Sequence, residues 1–442
     1  MSTNERTMCE GTSAGGTRAE GTPIAIQTQE RVLRQEEEQD HEELLPRLIP
    51  DLPDDVAVIE LGRLLPWTAY YTLNLVSRSW QRVIARRELY EAKVRAHSTE
   101  TFVVITGSDS NGLRSRLGLY SIKDKYCLQV PPLPDNAFQP PPPNRMLAER
   151  IAVFYNNVIT LAGKIYVLGG LLGRVGSKWF TRPDEVFVLD IAAGQSKWKQ
   201  CASMLEVRTC CWAASFNGKI YVLGSNSDDG TERCSCEVYD PKMDIWSPIK
   251  PMPSRRFVVC VRTVGEELFV YSMQYNREQE IDPSREQEDS DEDDLETPHP
   301  YNVLLDVYNA AEDEWRTVGR IRRAGRRLGR RLERYFTARG HFHAITRLDI
   351  EAYDMETNSW TRLHSNSFSA DGLIRPIRAD TDLICFEAQC VDDELLLIAL
   401  VHYKKCLLRS KGFGGENYEI VWQKLNCSRP HEEIQNICPI EL

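Results

Sequence analysis

Two histidines, His341 and His343, stand two residues apart, a spacing that on a strand points both imidazoles to one face. A metal site needs a third ligand, usually a fourth, at compatible spacing, and the sequence offers none, so no metal is expected. The thirteen cysteines include Cys210-Cys211 and Cys234-x-Cys236 but no CxxC pair. They are best read as reduced thiols that behave as small apolar side chains. Carboxylates are plentiful, yet they stand in turn-like text or in an acidic run. There is no G-x-S-x-G nucleophile elbow and no phosphate-cradling P-loop. Ser290, ahead of Asp291-Glu292-Asp293, has the surroundings of an acidophilic-kinase target, which is modification rather than catalysis. These residue types and spacings predict a non-catalytic chain with no cofactor.

Charge narrows the partners. The net charge of −11, and the lack of aromatics among the arginines, argue against nucleic acid. Residues 276–296 form a strongly acidic loop, and 320–334 (RIRRAGRRLGRRLER) an arginine-rich segment of opposite sign. The latter suits a solvated counterweight to its neighbour, a contact for an acidic partner, or a nuclear-localisation segment. No apolar run reaches the ~20 residues needed to span a bilayer, and the N-terminus lacks a signal-peptide pattern. A cytoplasmic or nuclear location is expected, with no membrane contact. Residues 1–47 are Gly/Thr/Ser-rich and then Glu/Gln-rich, the composition of a disordered arm.

Two kinds of element must carry whatever binding the chain performs. Residues 48–95 are helical in pattern. Pro53 suits a first turn, Asp54 and Asp55 suit the positive end of a helix dipole, and Val56, Ile59 and Leu64 recur until Pro66 stops the run. A second stripe follows in Leu73, Val76, Trp80, Val83 and Ile84. So small a unit must dock on the rest of the chain or receive a partner's helices. From residue 100 to 442 the pattern is instead short strands and turns, and it repeats. Gly163-Lys-Ile-Tyr-Val-Leu-Gly169 returns as 218–224, and Tyr239, Tyr308 and Tyr353 each precede a tryptophan (Trp246, Trp315, Trp360) by seven residues. Trp198 holds the same place one copy earlier. Weaker copies at 102–130 and 395–422 bring the count to six. Each copy exposes an apolar face alone, so the copies must pack radially.

Residues 48–95 resemble an F-box in the opening Leu52-Pro53, the aliphatics Val56 and Ile59, the Leu64–Pro66 break, the run Leu75-Val76-Ser77-Arg78-Ser79-Trp80 and the later Leu89-Tyr90. The repeats resemble kelch motifs in the Gly169-Gly170 doublet and the Tyr and Trp positions, with Ser225 and then Tyr271-Ser272 replacing glycines in later copies. Together they look most like the plant F-box/kelch-repeat proteins. The resemblance implies a three-helix all-α F-box followed by an all-β, six-bladed kelch propeller. It also implies that Leu52, Pro53, Val56, Ile59 and Leu64 contact a Skp-family adaptor and, through it, cullin and RING subunits of an SCF ubiquitin ligase. The propeller would then hold a protein target. Gly169, Gly170, the four tryptophans and the three tyrosines would be structural. A kelch scaffold acting outside a ligase, or a propeller enzyme, is the alternative.

Overall fold

A computed structural model of the chain describes residues 46–108, 115–134 and, with short gaps, 153–275, 301–320, 334–371, 383–411, 421–425 and 433–442. Nearly all of the arm at 1–47, Gly170, Ser290, the loop 276–296 and the interior of 320–334 lie outside the described residues.

The helical region begins with α1 (Asp54–Leu64), α2 (Ala69–Leu73), α3 (Arg78–Ala85) and α4 (Glu88–Arg95). Pro53 occupies the N-cap of α1, its carbonyl accepting from the Ala57 amide at 2.9 Å, with Asp54 and Asp55 in the first turn. Leu65 ends the helix in an extended conformation (φ −85°, ψ 131°), as a residue ahead of proline must. The expected stripe from Leu73 to Ile84 does not hold. Ser77 caps a new helix, its hydroxyl accepting from the Trp80 amide at 3.4 Å, so Trp80, Val83 and Ile84 turn inward while Val76 is 60 % exposed. The short α2 makes four helical segments among the described residues rather than three.

The rest is a propeller of six blades. Blade 3 shows the plan, an antiparallel meander of strands 212–216, 219–226, 232–240 and 245–249. Blade 4 (257–264, 267–275, 301–309, 314–320) and blade 5 (334–338, 341–345, 349–354, 359–365) repeat it. Blade 2 (157–161, 164–168, 186–190, 199–200) carries a small separate sheet of strands 153–154, 171–175 and 178–181. Blade 6 (383–391, 394–401, 404–411, 421–425) gains a parallel outer strand, Ala370–Asp371. Blade 1 supplies only Thr101–Ser108, Ser115–Ser121 and Cys127–Gln129, and its innermost strand is Glu433–Glu441, paired antiparallel to Thr101–Ser108. The six innermost strands touch in succession around the axis and so close the ring.

Blades bury both faces, so their strands read as continuous apolar runs. In Lys164–Leu168, Ile165 and Val167 pack toward blade 1 and the helices, whereas Tyr166 and Leu168 pack with Ile220, Val222 and Trp246 of blade 3. Alternation thus sorts side chains between two neighbours rather than between core and water.

Strand parity sets the two ends of the ring. Connections between first and second strands, and between third and fourth, emerge at one end. Second-to-third connections and the links between blades emerge at the other. The first end consists mainly of tight turns such as Ala162-Gly163, Asn217-Gly218 and Arg339-Gly340, all with positive φ. The strand ends that bound 276–300 (Tyr275 with Tyr301) and 321–333 (Arg320 and Arg334) both lie at the second end.

Candidate functional site

The helices sit on the tight-turn end, against blades 1 and 2. Leu48, Trp67, Tyr70, Trp80, Ile84 and Leu89 share one apolar cluster with Phe102, Val104, Ile165, Leu189 and Leu442. Trp67, fully buried, donates its indole N–H to the Ile191 carbonyl at 3.2 Å, and its amide to a Glu100 carboxylate oxygen at 3.0 Å. Glu100 exchanges two backbone hydrogen bonds with Leu442, at 2.7 and 2.9 Å. One face of the helical module is thereby satisfied within the chain.

Another face is not. Pro53, Val56 and Ile59 are exposed along one side of α1, and Leu64 at its end is 75 % exposed. Tyr71 on α2 is also exposed, and the link from α2 to α3 adds Leu75 (84 % exposed) and Val76. Leu52 differs from its neighbours. It is half-buried and packs on the shared cluster, so it supports α1 from beneath. Aliphatic side chains of this size each cost about 1.5–3 kcal/mol to leave in water rather than bury.

The repeat tryptophans do a different job. Trp198, Trp246 and Trp315 donate their indole N–H groups to Pro131, Ala202 and Lys250 carbonyls at 2.8, 2.9 and 2.7 Å. Each acceptor lies on the segment leaving the preceding blade. Tyr239, Tyr308 and Tyr353 are buried beside Trp246, Trp315 and Trp360, ring centroids 4.9–5.2 Å apart. Tyr239 and Tyr308 donate to Asp244 and Asp313, both at 2.7 Å. The same carboxylate oxygens accept the amides of Ala202 and Lys250 at 2.9 Å. Burial pushes the Tyr239 phenol up, and the Ala202 amide, then the Tyr239 hydroxyl, hold Asp244 below the usual carboxylate range. Asp244 and Asp313 went unread in the sequence, although each stands two residues before its tryptophan. Gly169 ends its strand with φ +58°, where a side chain would be strained.

The two histidines of the expected pair are held differently. His343 is buried and stacked on Phe336 at 5.0 Å, and burial lowers its pKa to about 4. His341 is exposed, its ring 6.4 Å away. Among the described residues no three His, Cys, Asp or Glu side chains come together as a metal site. Cys127, Cys201, Cys211, Cys236, Cys260, Cys390 and Cys438 are not joined in disulfides. A cavity of about 400 Å³ lies between Tyr90 of α4 and the tight-turn end, lined by Thr160, Ser215, Cys390 and Glu441 among others. Its lining has no imidazole or amine to activate Ser215 or Cys390. No described helix is long and apolar enough to cross a membrane.

Known proteins share these features. The model of the Kelch motif family matches residues 208–253, the stretch running through blade 3. An F-box/kelch-repeat protein of Arabidopsis thaliana is 30% identical over 209 residues, which is 46% of this chain and 53% of the relative. A second is 24% identical over 223 residues, 50% of this chain and 54% of the relative. A third, the F-box/kelch-repeat protein SKIP30, is 27% identical over 226 residues, 50% and 58%. These Arabidopsis F-box/kelch-repeat proteins are homologues of the chain. It spans about half the length of the curated relatives it matches. The six-bladed ring is accordingly a kelch propeller, and the helical region fits an F-box module.

Proposed function

We propose that the chain is the target-recognition subunit of an SCF-type cullin–RING ubiquitin ligase. The helical module takes a Skp-family adaptor, which brings cullin and RING subunits, and the propeller takes a protein to be ubiquitinated. The exposed apolar side of α1 carries this reading. A module that satisfies one face on its own propeller, yet leaves Val56, Ile59 and Leu64 in water, is built to receive another apolar surface. The F-box/kelch homologues support a receptor role in general. Such a subunit contributes proximity rather than chemistry, holding an acceptor lysine near the conjugating enzyme. The target belongs at the end of the ring away from the helices, where the connections have room to vary. Co-purification tests the reading. With proteasome activity blocked, the full chain should retain an adaptor and a cullin, and a variant lacking 48–95 should lose both. Equal recovery by the two would overturn it.

A further inference from the structure

We infer that blade 2 is the seat of the helical module, and that the Arg87–Asp190 pair fixes the angle at which the module is held. Blades 2 and 3 offer an internal comparison, because they repeat the same turns. In blade 2 Lys164 pairs with Asp190 at 3.5 Å, and in blade 3 Lys219 pairs with Asp240 at 3.4 Å. Each carboxylate also accepts a turn amide, from Ala193 at 3.0 Å and from Lys242 at 2.9 Å. Gly163 and Gly218 share one backbone conformation, φ +70° and +71°.

Only the surroundings differ. A methyl group at Gly218 would meet nothing within 4 Å, whereas at Gly163 it would come 3.0 Å from the Tyr90 ring and 2.6 Å from the Ala192 Cβ. Likewise a Cβ at Gly194 would lie 2.9 Å from the Asn74 amide nitrogen and 3.2 Å from Ile84. Blade 2 therefore meets the helices at backbone distance. Into this contact α4 sends Arg87, whose guanidinium bonds Asp190 at 2.5 Å and the Ala162 carbonyl, and lies 4.7 Å from the Tyr90 ring centroid. Arg87 itself has φ +65°, a left-handed conformation that is strained for a residue with a side chain. Such strain persists only where the surroundings hold it. The pair is largely withdrawn from water, with side chains 17 % and 11 % exposed; without Asp190 the Arg87 charge keeps the Ala162 carbonyl and the Tyr90 ring but has lost its counter-charge there. Trp67, bonded to Ile191, is the second tie to the same turn.

Arg87 and Asp190 are thus positioning residues. Their consequence for ubiquitin transfer rests on the ligase reading above, but the contact itself does not. The test uses the full chain with two spin labels on genetically encoded keto side chains, one at Glu60 on α1 and one at Glu312 on blade 4, both exposed and outside the two turns that are varied. Asp190→Ala, Arg87→Gln and Gly163→Ala should each roughly double the width of the inter-label distance distribution as local opening becomes populated. Asp240→Ala and Gly218→Ala, which disturb the matching turn without the helices, should leave it unchanged. Arg87→Lys should recover part of the narrow distribution. Adaptor affinity, measured on the same variants, should stay within about twofold, since the α1 face is untouched. Equal widths for the blade 2 and blade 3 variants would overturn the inference. A chain that binds no adaptor at all would instead sink the ligase reading and leave the distance result standing.

Discussion

The two ends of the propeller are made from the same strands and obey opposite rules. At the end that carries the helices, the turns are mostly short and left-handed, as at Ala162-Gly163 and Arg339-Gly340, and Asp244 and Asp313 tie them to the neighbouring blade. At the other end, the strands part across 276–300 and 321–333. Short turns fix the register of a meander, and a ring needs that done only once per hairpin. The opposite end is then free to vary at little cost, because loop-closure entropy grows slowly with length. Among the described residues, the tight turns are concentrated at one end, and the long interruptions between strands lie at the other.

The comparison fails if its structural end can be damaged without consequence. Trp246→Ala removes a buried ring and leaves the Ala202 carbonyl without its indole donor, so a loss of about 3–5 kcal/mol is expected. A melting curve that does not move would show that the tryptophans are not the ties between blades. His343 gives a pH test. Its folded pKa of about 4 lies below the ~6.5 of a free histidine, so the unfolded chain takes up the proton first. Its contribution is fully present above pH 6.5 and declines toward pH 4, where about 3 kcal/mol is lost. The acid slope of stability should flatten in His343→Gln over that window, and an unchanged slope would place the titration elsewhere.

The helical face should respond in binding rather than in folding. Val56→Asp with Ile59→Asp should weaken adaptor capture about 30-fold or more, equivalent to some 2 kcal/mol, with an unchanged melting temperature. Undiminished capture in a purified pull-down would remove α1 from the interface. Tyr308→Phe loses only the hydrogen bond to Asp313 and should cost about 1 kcal/mol, a shift visible in denaturant titration. Smallest of all, replacing 277–296 with a short Gly/Ser linker should move the melting temperature by no more than about 1 °C. A large fall would mean that the second end also holds the ring together.

What could be read from the chain follows the same division. The propeller was legible because blades 3, 4 and 5 repeat the same tyrosine and tryptophan at the same place, and repetition survives where single signals are weak. The two ends of α1 were legible because Pro53, Asp54 and Asp55 at its start and Pro66 beyond its end act locally. The break at Ser77 was written in the sequence as a helix cap, but the apolar stripe on either side of it was stronger. Arg87 and Asp190 stand 103 residues apart, with nothing local to join them, so the docking of the helices needed coordinates. The same is true of Glu433–Glu441, which pairs with strand Thr101–Ser108 far up the chain.

That last pairing also sets a timetable. The helices and the first three strands of blade 1 leave the ribosome early, yet the strand that completes blade 1 is translated some 330 residues later. At the usual 5–20 residues per second, that interval is roughly 15–65 s. Throughout it, the inner edge of Thr101–Ser108 has no partner from its own chain, and an unpaired edge is a template for any other strand. Leu442, which bonds Glu100 at the root of the helical module, arrives just after that strand. A nascent chain of this protein is therefore a natural client for chaperones, and it acquires both its closed ring and the footing of its helices in one late step.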